Sequence, residues 1–278
     1  MMIYFTSDPH YGFSSQGDRA VEALAEYVAN HGSDGDVLLL GGDLGGDDKT
    51  LQECLALFER FPGHKFAVPG NHDVWVESVE TSFDRYRRLS EIFRAAGFHP
   101  LQEEPAVVGG VGFAGCMGWY DYSFRDEELN IPLHFYETKT YPGEMEPLWN
   151  DAGYARWGRD DCMVTEWQAK NLAQHLRSLR DVREVIVLTH HVPTKNLLVY
   201  PRELVPRRSR FANAFLGSER FAEVIMGYPS VRLAVCGHIH MGSTADIDKT
   251  RFLSIGSSYD QKELVAYNGK NITRQTFG

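Results

Sequence analysis

Short aliphatic and β-branched runs alternate along the chain with longer amphipathic stretches. Residues 2–7 read as a strand, and residues 19–30 place Val21, Leu24, Ala25 and Val28 on one side of a helix. The alternation continues with a buried strand at 37–40, a helix at 50–61, a strand at 65–68 and a helix at 82–96 ended by Gly97. Strands dominate 106–114. A helix over 165–179 precedes the apolar strand 185–188, a further helix spans 211–226, and the strand 231–235 follows. The C-terminus is strand-like and punctuated by turns. No repeat interrupts the pattern, which predicts one layered α/β domain over residues 1–278 with helices covering the sheet faces.

Two segments depart from this rhythm. Residues 118–161 are rich in aromatic and acidic groups without clear periodicity, which predicts an insertion or lid near a site. Trp119, Tyr120, Tyr122, Phe124, Trp149, Tyr154 and Trp157 suit either a platform that stacks on a base or sugar or a small satellite core. Residues 194–210 carry Lys195, Arg202, Arg207, Arg208 and Arg210 and read as a basic loop. Arg125, Arg156 and Arg159 offer guanidinium groups of the kind that bind phosphate bidentately, though most surface arginines only face solvent.

Composition narrows the classes of partner. With 278 residues and 43% hydrophobic content the chain can bury a sizeable core. A net charge of −10 provides no broad basic field, so general nucleic-acid binding is not expected. Cys54, Cys116, Cys162 and Cys236 lack any CxxC spacing and read as reduced core thiols. Neither a signal-like leader nor a membrane-length apolar run is seen, so the expected location is cytoplasmic, away from the membrane.

Five polar clusters follow predicted strands: Asp8-Pro9-His10, Gly41-Gly42-Asp43, Gly70-Asn71-His72-Asp73, Thr189-His190-His191 and Gly237-His238-Ile239-His240. Loops at strand carboxyl ends are where α/β sheets place their ligands, so the five are expected to converge. Their mix of carboxylate, amide and imidazole donors suits manganese, iron or zinc. In extended backbone, residues two apart point the same way, so Asp8 with His10, and His238 with His240, would each present a pair. Asp43, between glycine pairs, is placed to bridge two ions. His31, His64, His99, His134 and His175 stand alone and read as solvated or core-satisfied side chains.

In this order the five clusters resemble the motifs of the calcineurin-like metallophosphoesterase superfamily: D-x-H, G-D, G-N-H-D/E, H and G-H-x-H. The resemblance implies a four-layer αββα sandwich of two mixed sheets flanked by helices. It assigns Asp8, His10, Asp43 and His240 to one metal ion and Asp43, Asn71, His190 and His238 to a second. Each ion would be divalent or trivalent manganese, iron or zinc. Two ions about 3.5–4 Å apart would acidify a bridging water, and the resulting hydroxide would attack phosphorus. His72 would then be catalytic, steadying the phosphoryl group and protonating the leaving oxygen, with Asp73 orienting it.

Two details refine the reading. Protein phosphatases of the superfamily continue G-D with V-D-R-G, whereas this chain reads Gly42-Asp43-Leu44-Gly45-Gly46, which disfavours that branch. Of the adjacent His190 and His191, the one nearer the strand end is expected on the metal and the other along the pocket. His191, Arg125 and Tyr122 are therefore candidate substrate contacts. The expected activity is hydrolysis of a small phosphodiester or phosphomonoester. A nuclease-type phosphodiesterase is one alternative. The other is a catalytically silent metal-binding interaction module, against which His72 and Asp73 speak.

Overall fold

Strands β1 (Ile3–Thr6) and β2 (Val37–Leu40) are buried along their whole length, as parallel strands covered on both faces must be. In the computed structural model, which describes residues 1–77, 79–198 and 205–278, they pair in parallel and continue through β3 (His64–Ala67) to β4 (His99–Pro100). Two strands from the end of the chain, β11 (Lys262–Tyr267) and β12 (Ile272–Phe277), add antiparallel on the other side of β1. The second sheet runs in the order β5 (Ala106–Val108), β6 (Val111–Cys116), β7 (Glu184–Thr189), β8 (Val231–Cys236), β10 (Thr250–Ser254) and β9 (Ser243–Ile247). Its interior pairs are parallel and its two edge pairs antiparallel.

The period-two alternation of the strands sorts their side chains into layers. Ile3, Phe5, Val37 and Leu39 meet Phe113, Ile186, Leu188 and Val235 between the sheets. Tyr4, Leu38 and Leu40 point outward onto α1 (Ser15–His31), α2 (Asp48–Leu57) and α3 (Ser82–Ala95). Ala114, Val185, Val187 and Ala234 point outward onto α6 (Asp161–Ser178) and α8 (Glu219–Met226). The result is the expected four-layer sandwich of two six-stranded mixed sheets flanked by helices. Among the described residues, no helix is long and apolar enough to cross a membrane.

The helix expected from residue 82 begins at Ser82, but the starts of α1, α2 and α6 lie earlier than periodicity predicts because capping side chains set them. Asp47 and Thr50 form a capping box that begins α2 at Asp48. Asp160 accepts from the Met163 amide and begins α6 four residues before the expected Thr165. The helix expected over 211–226 is two helices, α7 (Arg207–Ala212) and α8, with a 3-10 turn Asn213–Phe215 after the first. The break has a physical cause. Gly217 forms a strand-like bridge with Val192, and a Cβ there would lie 1.9 Å from the Val192 carbonyl oxygen. Ser218 then caps α8.

The segment of residues 118–161, expected to be an insertion, includes the short helices α4 (Leu133–Glu137) and α5 (Asp151–Tyr154). Trp119, Tyr120, Tyr122, Tyr136 and Trp157 are buried in the same apolar cluster as the outer face of the first sheet, so most of its rings are core rather than an open stacking platform. This segment holds the described arginines of the basic loop: Arg208 donates to Glu144, Arg210 to Asp126 and Glu128, and Arg207 to the Leu129 carbonyl. Arg202 lies outside the described residues. One expectation about the thiols is corrected, since Cys54, Cys116 and Cys236 are buried but Cys162 is exposed.

The loops after β2 and β3 touch backbone to backbone. Gly42 sits at φ +90°, and a Cβ on it would lie 2.4 Å from the Gly70 nitrogen. Gly42→Ala is therefore expected to lower the unfolding free energy by about 2 kcal/mol or more. Gly46→Ala, with open space around it, is expected to change it by no more than about 0.5 kcal/mol. Urea denaturation of the two variants checks the contrast.

Candidate metal centre

Five loops at strand carboxyl ends meet where the two sheets abut: those after β1, β2 and β3 from one sheet and after β7 and β8 from the other. Their backbone is not extended. Asp8, His10, Asp43, His238 and His240 have φ between 44° and 71°, the left-handed region that non-glycine residues rarely occupy. The D-x-H and H-x-H pairs thus converge through left-handed turns and not through strand alternation, which corrects the expected geometry. Such strain persists only where neighbours over-determine it, and here they do. The Asp8 and His10 amides donate to the Gly42 and Asp43 carbonyls at 3.0 and 2.9 Å. The His238 amide donates to the Asp8 carboxylate at 3.1 Å.

Asp73 secures the next pair of loops. Its fully buried carboxylate accepts the amides of Asp43, Leu44 and Gly70 at 2.8–2.9 Å. Burial and the nearby charge of Asp43 push its carboxyl up to about 6. This is a structural task directed at the backbone. The hydrogen bonds that Asp73 accepts come from backbone amides, where the resemblance implied an acid orienting the His72 ring.

The two oxygens of Asp43 face different partners. Oδ2 lies 3.5 Å from His10 Nε2, which is 3.3 Å from His240 Nε2, itself 3.6 Å from Asp8 Oδ1. Oδ1 lies 3.4 Å from His190 Nε2, which is 3.1 Å from Asn71 Oδ1 and 3.2 Å from His238 Nδ1. Asp8, His10 and His240 form one set able to hold a metal ion, Asp43, His190 and His238 another, and His10, Asp43 and His72 a third.

The donor chemistry fits cations. His190 Nδ1 lies 2.8 Å from the Gly41 carbonyl, which can only accept, so Nδ1 carries a proton and Nε2 is the nitrogen turned to the cluster. The Asn71 amide group donates to Asp151, leaving Oδ1 turned inward. Buried lone pairs therefore face one another with little to separate them except positive charge. The protonation behaviour expresses the same demand. Burial alone would push His190 down, but the Asp43 carboxylate overrides it and holds the imidazole up at about 9. His10, by contrast, is driven down to about 4 by burial.

The family model described as calcineurin-like phosphoesterase matches residues 1–242. The chain belongs to the calcineurin-like phosphoesterase family. No curated protein matches it. Among solved structures, a phosphopantetheinyl hydrolase from Mycobacterium tuberculosis aligns with a TM-score of 0.69 at 20% identity, covering 92% of this chain and 89% of that one. A dimetal phosphatase from Danio rerio aligns with a TM-score of 0.61 at 11% identity, covering 100% and 96%. A putative 5′-nucleotidase from Staphylococcus aureus gives 0.54 at 15% identity, over 99% of this chain but 53% of that one. At these identities the likeness is one of fold.

On this calcineurin-like phosphoesterase scaffold, His72 stands at the edge of a cavity of about 830 Å³ that opens above the cluster. Its ring stacks on Trp75 at 3.8 Å, and its Nε2 is 3.9 Å from Asp43 Oδ2. The proposed substrate contacts lie elsewhere. His191 is fully buried behind the cluster, 4.4 Å from the His238 ring and 4.9 Å from Trp119. Tyr122 is buried and donates to Asp161, while Arg125 is exposed beside Glu127. None of the three lines the cavity. Of the solitary histidines, His31, His99 and His175 meet backbone carbonyls, and none of the five joins a set able to hold a metal ion among the described residues.

Two residues escape motif reading. Lys262, buried, donates to the Asp8 carbonyl at 3.0 Å, and burial pushes it down to about 8. Asp151, from the insertion, accepts Asn71 Nδ2 at 3.0 Å, Trp75 Nε1 at 2.7 Å, Trp149 Nε1 at 2.8 Å and the Tyr120 hydroxyl at 3.1 Å. Nothing in a lone Asp within an irregular stretch signals this. Because Asp151 fixes which end of the Asn71 amide faces the cluster, Asp151→Asn is expected to weaken metal binding about 10–100-fold. Chelator competition on the folded variant measures this, and an unchanged affinity would contradict the assignment.

Proposed function

We propose that this chain is a two-metal phosphoesterase that hydrolyses a phosphodiester or phosphomonoester of a small molecule by direct attack of water on phosphorus. The observation that carries the reading is the division of Asp43, one carboxylate oxygen toward His10 and the other toward His190. In this reading Asp8, His10, Asp43 and His240 hold one ion, and Asp43, Asn71, His190 and His238 the other. Such ions supply an acidified water nucleophile and charge to offset the phosphoryl oxygens.

The remaining work falls to the protein. Left-handed turns and the carboxylate of Asp73 keep the ligand loops from rearranging during a turnover. His72, a quarter exposed and braced by Trp75, faces the cavity where an ester would sit. It donates a proton toward the phosphoryl group or the departing oxygen. A nuclease-type reading is not favoured, because the described arginines of the basic loop are engaged by the insertion.

The test is turnover of bis-p-nitrophenyl phosphate and p-nitrophenyl phosphate by apo-protein reconstituted separately with manganese, iron and zinc. His72→Ala is expected to keep its metal while losing about 10²–10⁴-fold in kcat. Asp43→Asn is expected to lose both metal and activity. Full activity in His72→Ala would remove the catalytic role, and metal uptake without turnover of any ester would favour a silent binding module.

A further inference from the structure

The cavity above the cluster, about 830 Å³, lies in the range of pockets that enclose a whole organic ligand. A phosphoryl group on the cluster would leave most of it for whatever the phosphorus is esterified to. Asp43, Asn71, His72 and His238 form its floor, and Trp75, Trp149, Leu198, Leu216, Ile239 and Met241 form much of its wall. Asn150, Ser209 and Ser258 add uncharged polar groups around it, and no Lys or Arg occurs among its described lining residues.

The wall is apolar by construction. Both indole N–H groups that could face the cavity are turned away from it onto Asp151, at 2.7 Å for Trp75 and 2.8 Å for Trp149. Trp75 is held in a column between His72 and Tyr154, at 3.8 and 5.0 Å, and Trp149 stacks on Phe215 at 5.6 Å. On the far side Tyr259 packs against His10 and His240 and stacks on Phe13 at 4.5 Å. Phe13 is 67% exposed and Tyr259 40%, so apolar surface extends from the pocket to its rim. Among the described residues, the arginines that flank Val205 and Ser209 are engaged elsewhere, Arg207 by the Leu129 carbonyl, Arg208 by Glu144 and Arg210 by Asp126.

We infer that the site selects phosphoric esters whose organic group is uncharged and presents an apolar or aromatic face of several carbon atoms. A second phosphate or carboxylate on that group would be desolvated against indole and aliphatic walls with no counter-charge among the described residues, whereas alkyl or aryl surface gains by leaving water. This rests on the reading that the cluster binds the phosphoryl group, and it specifies the substrate class of that same site.

Calorimetric titration of zinc-reconstituted protein with methyl-, phenyl-, n-hexyl- and 2-carboxyethylphosphonate tests the inference without requiring turnover. The phenyl and hexyl compounds are expected to bind at least tenfold more tightly than methylphosphonate, about 1.4 kcal/mol, and the carboxyethyl compound no more tightly. In Met241→Glu the hexyl-to-methyl ratio is expected to fall toward one. A flat series, a preference for the carboxylate, or an unchanged ratio in the variant overturns the inference. No binding by any of the four, methylphosphonate included, overturns it together with phosphoryl binding at the cluster. Hydrolysis of p-nitrophenyl phosphate is followed alongside. Apolar preference without turnover would keep the pocket and sink the hydrolase, whereas turnover with a flat series would do the reverse.

Discussion

The structure depends on a buried surplus of lone pairs around one carboxylate. Asp43 is nearly inaccessible, and imidazole nitrogens and carboxyl or amide oxygens close on it from both sides. An interior of this kind is costly unless positive charge enters it. The tendency of His190 to hold a proton up to about 9 is a substitute for that charge. Much of the surrounding architecture is devoted to keeping these lone pairs pointed inward when their own repulsion would spread them.

Three devices serve that end, each from a different level of structure. Two sheets deliver five strand ends to one place. Left-handed turns at Asp8, His10, Asp43, His238 and His240 aim the side chains, and cross-loop amide hydrogen bonds stabilise the turns. Finally, two buried carboxylates act from behind. Asp73 gathers the amides of the loops after β2 and β3, while Asp151 reaches in from the insertion to set the Asn71 amide and two indoles. The same Asp151 thus couples the orientation of the Asn71 amide, which faces the cluster, to the shape of the pocket wall.

What could be read from the sequence follows from the range of the interaction that determines it. Strand and helix identity came through because period-two and period-3.6 patterns are local, and the order of the polar clusters brought the layered fold with it. Helix starts at Asp48 and Asp161 were missed where a capping Asp lies ahead of the apolar stripe. The split between α7 and α8 was invisible because it answers to Val192, 25 residues from Gly217. The motif residues met as expected, but by left-handed turns that spacing in extended backbone does not describe. Asn71 and Asp151 are separated by 80 positions, and Arg208 and Glu144 by 64, so neither the positioning role of the acid nor the pairing of the basic loop with the insertion had a local signature. Tyr122, Arg125 and His191 match the chemistry by type and nearness in sequence, yet none of them lines the cavity, Tyr122 and His191 being buried and Arg125 exposed beside Glu127.

The proposed chemistry requires Asp43 to stand between two cations. Anomalous diffraction from crystals soaked in manganese addresses that directly. Two peaks about 3.5–4 Å apart, one beside His10 and one beside His190 with the Asp43 carboxylate between them, are the expected result. A single peak, or two peaks that Asp43 does not join, would contradict the two-metal centre and the chemistry built on it.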